Sequence, residues 1–97
     1  MDRLTAMQVF AEVAQLGSFT AAGDKLDMSR PMVTRYVDEL EQWLGVRLLQ
    51  RSTRKVTLTD AGLACLARCQ QMLELAAEVR ADASQRDGQV RGLLRVT

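Results

Sequence analysis

The 97-residue chain contains no histidine. That single absence removes the Ser-His and Cys-His nucleophile pairs and every His-ligated zinc site, the commonest catalytic and metal constellations. Cysteine is nearly absent too: only Cys65 and Cys69 occur. On a helix they lie one turn apart with parallel side chains, a poor geometry for a disulfide. With no other Cys and no His, they lack the partners of a metal site and are expected to pack as small reduced thiols. Aromatic residues make up 4% of the chain, too few for a row of exposed rings that stack on bases, so Trp43 and Tyr36 are expected in the core. No apolar run approaches ~18 residues, and no basic stretch leads into an apolar one at the N-terminus. Neither a membrane span nor a signal peptide is expected, and the expected location is the cytoplasm. A formal charge of +1, from 13 Lys and Arg against 12 Asp and Glu, names no partner by itself.

What is present is the mixture of a small globular domain, 47% apolar and 26% charged. Leu4, Met7, Phe10, Ala11, Val13 and Ala14 recur at three- and four-residue spacing, the stripe of a first helix that Gly17 ends. Ser18 stands as the N-cap of a short second helix reaching about Leu26. Asp27, Met28 and Ser29 form a tight corner: Asp27 tolerates the left-handed conformation, Met28 tucks inward and Ser29 caps a third helix with Pro31 in its first turn. Val33, Val37, Leu40 and Leu44, with Tyr36 and Trp43 beside them, should face the core. Arg30, Thr34 and Asp38, with Pro31 and Arg35 alongside, should face out.

After Gly45 the period changes. Residues 46–49, a turn over 50–55 and the alternation Val56-Thr57-Leu58-Thr59 predict a two-stranded hairpin with a basic tip. From Thr59, a good N-cap, a helical pattern runs to about Asp87. At 1.5 Å per residue that helix is ~42 Å long and must project from the domain before it. Leu66, Cys69, Leu73, Ala76 and Ala83 lie close to a heptad seam, interrupted by Arg80, which predicts a short dimer contact. Gly88 to Gly92 reads as a hinge, and Leu93 to Thr97 as the start of a strand without a partner.

Helix, short helix, tight turn, helix and hairpin together spell a winged helix-turn-helix. The charge distribution agrees. Between Met28 and Val37 there are two arginines and no acid; between Gln42 and Thr59 stand Arg47, Arg51, Arg54 and Lys55, again with no acid. Positive charge at the start of one helix and the tip of one hairpin is the footprint of contacts to a phosphate backbone.

The chain resembles the LysR-type transcriptional regulators of bacteria. The resemblance rests on Gly17-Ser-Phe-Thr-Ala-Ala22, Leu26-Asp-Met-Ser29, Pro31-Met-Val-Thr-Arg35, Leu40-Glu41, Leu44-Gly-Val-Arg-Leu-Leu49, Arg51, Arg54 and Leu58-Thr-Asp-Ala-Gly62. It implies a mainly α fold with a winged helix-turn-helix over residues 1–58, a linker and dimerisation helix over 59–87, and a hinge over 88–97 that opens a larger effector-binding domain beyond this chain. It also implies that Ser29, Arg30, Pro31, Thr34 and Arg35 enter the major groove, with Arg51 and Arg54 on phosphate or in the minor groove. Lys55 adds charge there, and Ser18 and Thr20 are placed to donate to phosphate from the start of the second helix. Asp38 is left out, because a carboxylate near DNA repels phosphate.

Two positions depart from the usual pattern. Arg30 replaces a common glutamine and suits guanine, whose O6 and N7 it can bind together. Gly23 replaces a common alanine, at a cost of up to ~1 kcal/mol in helix stability, while allowing close helix approach. Tyr36 could pack beneath its helix or reach a phosphate. The resulting expectation is a bacterial sequence-specific DNA-binding domain, dimeric through its last helix, without catalytic chemistry or a cofactor of its own. A small-molecule co-inducer is implied only for the effector domain, and a higher oligomer for a full-length chain. The rival reading is a helical adaptor that captures a partner protein through the Leu66 to Ala83 face.

Overall fold

A computed structural model describes residues 2–52 and 55–96, with side-chain surroundings given as far as Arg86. Its elements are α1 (Arg3–Leu16), α2 (Phe19–Leu26), α3 (Arg30–Leu44), β1 (Leu49–Arg51), β2 (Val56–Leu58) and α4 (Asp60–Val96).

Local chemistry sets the boundaries. The Asp2 carboxylate accepts from Leu4 N at 3.1 Å and from the Thr5 hydroxyl at 2.5 Å, starting α1. These bonds, the Thr5 hydroxyl foremost, hold the Asp2 carboxyl below its ordinary pKa. Gly17 ends α1 at φ 67°, and Ser18 begins α2 at once by accepting from Ala21 N. Asp27 ends α2 in the left-handed conformation at φ 57°, as its short polar side chain permits. Ser29 then caps α3, accepting from Met32 N, with Pro31 in the first turn where its missing N–H is harmless. Met28, in the corner, packs against the core.

Val9, Phe10 and Val13 of α1 meet Phe19 and Ala22 of α2, Val33, Val37 and Leu40 of α3, and Leu48 and Leu49 at the root of the hairpin. Gly23 matters to this packing. A β-carbon there would stand 2.6 Å from the Met28 carbonyl oxygen, so the bend between α2 and α3 closes against bare backbone. Lys25 Nζ of α2 lies 3.0 Å from Glu12 Oε2 of α1, off the line of a hydrogen bond, which makes it a charge contact only.

Two expected core residues lie outside it. Trp43 is 50% exposed, with the Arg3 guanidinium 4.5 Å above its ring, and Leu44 is exposed as well. Both sit in the last turn of α3, where Gly45 turns the chain away and α1 reaches Trp43 only with the Arg3 side chain. Leu4, in the first turn of α1, is exposed for the corresponding reason. Tyr36 packs beside the core, half-buried.

β1 begins three residues later than its expected start at Val46. Val46 and Arg47 form an exposed loop, and the antiparallel pairing sets Leu49 opposite Leu58 and Arg51 opposite Val56. Ser52 and Lys55 close the hairpin: the Ser52 hydroxyl donates to Lys55 O at 2.7 Å and accepts from Lys55 N at 3.0 Å.

α4 starts on Thr59, whose hydroxyl accepts from Gly62 N at 2.9 Å while donating to Arg47 O at 2.6 Å. Its 37 residues account for the 63 Å long axis of the molecule, against 25 and 21 Å across. The backbone stays helical through Gly88 and Gly92, where a hinge and a strand were expected. Isolated glycines weaken a helix by only ~1 kcal/mol each, and no proline interrupts it. Among the described residues no helix is long and apolar enough to cross a membrane.

Candidate nucleic-acid interface

The exposed side of α3 carries the residues singled out from the sequence. Arg30, Pro31, Thr34 and Arg35 line one shallow surface hollow, joined by Asp38, Glu39 and Gln42 further along the helix. Successive turns bring 30 and 34, then 31 and 35, onto one side, while Val33, Val37 and Leu40 occupy the opposite, buried side. Among the described residues no ion pair joins Arg35 to Glu39, and Arg35 is exposed.

Ser18 and Ser29 hold their helices' first amides through Oγ, which leaves each hydroxyl hydrogen to be donated elsewhere. Thr20 is exposed in the first turn of α2, and Lys55 is exposed at the hairpin. Arg54 lies outside the described residues.

Arg51 is engaged within the chain. Its Nη2 is 2.6 Å from Asp38 Oδ1 and 3.4 Å from Glu41 Oε1. Sequence reasoning set Asp38 aside for its charge and gave Glu41 no role. The usable signal was the hairpin root, whose buried amides at Leu48 and Leu49 need an acceptor: Glu41 Oε2 takes both, at 2.8 and 3.3 Å.

The expected dimer seam is largely turned inward. Cys69 is buried, and Leu66, Leu73 and Ala76 are half-buried, along the side of α4 that packs on α1. Of the five only Ala83 is fully exposed. Among the described residues α4 leaves Leu63, Met72, Leu75 and Val79 open; the last three, at 49, 59 and 62% exposure, form a stripe about a quarter-turn round from the seam. The inward rotation has a plain cause: α1 needs an apolar cover, and the seam residues supply it. Cys65 and Cys69 are both free thiols, with sulfurs 3.7 Å apart. Burial, reinforced by the neighbouring Cys65, pushes the Cys69 thiol up to about 12, so it stays protonated and unreactive. Among the described residues no cluster of three metal-ligating side chains occurs.

A helix with an exposed, basic N-terminal half behind a tight turn, flanked by a short β-ribbon, defines a winged helix-turn-helix domain. The chain belongs to the bacterial regulatory helix-turn-helix proteins of the lysR family, whose model matches residues 4–63. It is 46% identical over 81 residues to an HTH-type transcriptional repressor of Pseudomonas aeruginosa (strain UCBPP-PA14), a match covering 84% of this chain and 26% of the relative. To the HTH-type transcriptional activator AaeR of Escherichia coli (strain K12) it is 48% identical over 73 residues, covering 75% and 24%. The chain therefore spans about a quarter of the length of these curated relatives. Among solved structures it is similar to the CbnR_DBD-DNA complex, with TM-score 0.81 and 39% identity over 91% of this chain and 99% of that one. The BenM_DBD/catB site 1 DNA complex superposes with TM-score 0.82 at 29% identity, over 88% and 93%. The family and these relatives are transcriptional regulators.

Proposed function

We propose that this domain binds promoter DNA sequence-specifically as a dimer, with α3 in the major groove and the wing on the flanking backbone or minor groove. The observation that carries this reading is the single exposed surface on α3 where Arg30, Pro31, Thr34 and Arg35 stand together above a fully apolar reverse side. Arg30, Pro31 and Thr34 supply base contacts there. Arg35, Lys55, Arg54, Ser29, Ser18 and Thr20 hold the backbone, and helix N-termini add amides that favour phosphate. The similarity to the CbnR_DBD-DNA and BenM_DBD/catB site 1 DNA complexes supports DNA binding.

The test is selection of bound duplexes from a random library. Wild-type protein is expected to enrich a half-site with guanine at the step Arg30 reads, and Arg30→Ala to relax that one position at a cost of ~1–3 kcal/mol. Enrichment without any base preference there would remove the Arg30 assignment.

Dimerisation is proposed through α4, on the stripe Met72, Leu75 and Val79, with Ala83 at its margin. Those three side chains form one exposed apolar stripe that α4 does not spend on its own domain, and a pair of domains would present two reading helices to two half-sites. Val79→Glu is expected to weaken self-association at least ~10-fold, since a buried valine contributes ~1.5 kcal/mol or more. Sedimentation equilibrium measures this, and an unchanged dimer would exclude the stripe. In a longer regulator, residues 59–87 would serve as the linker to an effector-binding domain, and a small-molecule co-inducer would act there.

A further inference from the structure

The guanidinium of Arg51 sits where the three elements of the proposed DNA surface meet. It comes from the last residue of β1, reaches Asp38 and Glu41 on α3, and lies 4.9 Å from the ring centroid of Phe19, the first residue of α2. Its side chain is 31% exposed, which is low for an arginine on a short hairpin. Glu41 completes the arrangement: one oxygen faces Arg51 and the other accepts from Leu48 N and Leu49 N. The strand is thus fixed to the reading helix at both ends, by amides at its start and by an ion pair at its finish.

We infer that Arg51 is a positioning residue, which sets the angle of the wing against the reading helix through Asp38 and Glu41 and is not itself a ligand of the DNA. This rests on the DNA-binding reading above. Strands of three residues cannot hold a hairpin in place by their own ladder. A reading helix and a wing engage one duplex together only if their spacing suits the groove, and a wing free to swing must be ordered at the moment of binding, which weakens the complex. The forked, planar arginine is suited to this task because it can address two carboxylates while its face lies on a ring. The same contact also answers for Asp38. Its carboxylate serves the hairpin, holding the Arg51 guanidinium at 2.6 Å.

A brace and a phosphate ligand differ in what salt does. Neutralising one phosphate contributes ~0.9 to the slope of log affinity against log salt, whereas an arginine already paired within the protein contributes nothing. The experiment uses duplexes enriched by the wild-type chain and a scrambled duplex of equal composition, titrated over a range of salt. Arg51→Gln is expected to weaken the enriched duplex about 5-fold, because the freed wing must then be ordered on binding. Binding to the scrambled duplex and the salt slope should stay unchanged. Arg51→Lys keeps the charge without the fork or the planar face, and is expected to behave like Arg51→Gln. It carries the test if circular dichroism shows that Arg51→Gln does not fold. A slope reduced by about 0.9, equal weakening of both duplexes and rescue by lysine would mark Arg51 as a phosphate ligand and overturn the inference. Failure of the wild-type chain to enrich any duplex would overturn the DNA-binding reading, and this inference with it.

Discussion

Gly62→Ala is expected to lower the melting temperature by ~10 °C or more, although alanine is the better helix former. Gly62 lies in the first turn of α4, and the hairpin root crosses it directly. A β-carbon there would fall well inside the Leu48 carbonyl oxygen, 2.8 Å from the carbonyl carbon and 3.1 Å from Leu58 Cδ2. The obstacle is backbone, so no side chain can rotate away. That carbonyl is also committed, accepting from Thr59 N at 3.0 Å. Overpacking of this kind costs ~1–3 kcal/mol and sometimes more, against ~1 kcal/mol gained in helix propensity. Because the obstacle is backbone, the cost falls at or above the top of that range, and the resulting net loss of ~2 kcal/mol corresponds to about 8–16 °C for a domain of this size. Thermal unfolding followed by circular dichroism gives the answer; an unchanged or higher melting temperature would mean that α4 can lift from the hairpin without cost.

The second large effect belongs to Glu41. Glu41→Ala is expected to destabilise the domain by ~2–4 kcal/mol, read from the urea midpoint. Its carboxylate is 13% exposed, accepts two amides of fully buried residues and faces a guanidinium. Hydrogen bonds to a charged group contribute ~1.5–3 kcal/mol each, and buried amides left without an acceptor add to the loss. The ion pair with Arg51 is partly open to water and adds little. Glu41→Gln keeps an acceptor for the amides and loses the charge, so it is expected to recover about half of the deficit. Equal losses for the two variants would show that the charge, and not the acceptor geometry, holds the hairpin.

These two residues differ in how far the sequence announced them. Gly62 belonged to a run that resembles the LysR family, but its distance to Leu48 is a tertiary fact with no local signature. Glu41 looked like one more charge on a helix, since its partners lie seven and eight residues away across a turn. What the sequence did make plain was local. Gly17, Ser18, Asp27, Ser29, Gly45 and Thr59 each mark an element end by a conformation or a capping bond that a single residue type supplies. Periodicity placed Val33, Val37 and Leu40 inside, and Arg30, Thr34 and Arg35 outside. It failed at Trp43 and Leu44, because periodicity records which side of a helix is apolar and not whether another element reaches that far along it. On α4 two adjoining apolar stripes were available in the sequence, and only the packing of α1 shows that Leu66, Cys69, Leu73 and Ala76 cover their own domain.

Thr59 joins three pieces of chain at one point. Its amide holds Leu48 O, its hydroxyl holds Arg47 O, and the same hydroxyl starts α4. With Gly62 in contact directly beyond it, the root of the wing and the base of the long helix have no slack between them. Any change in the direction of α4, the longest element of a molecule 63 Å long, would therefore meet the hairpin root first, with no loop between them to absorb it.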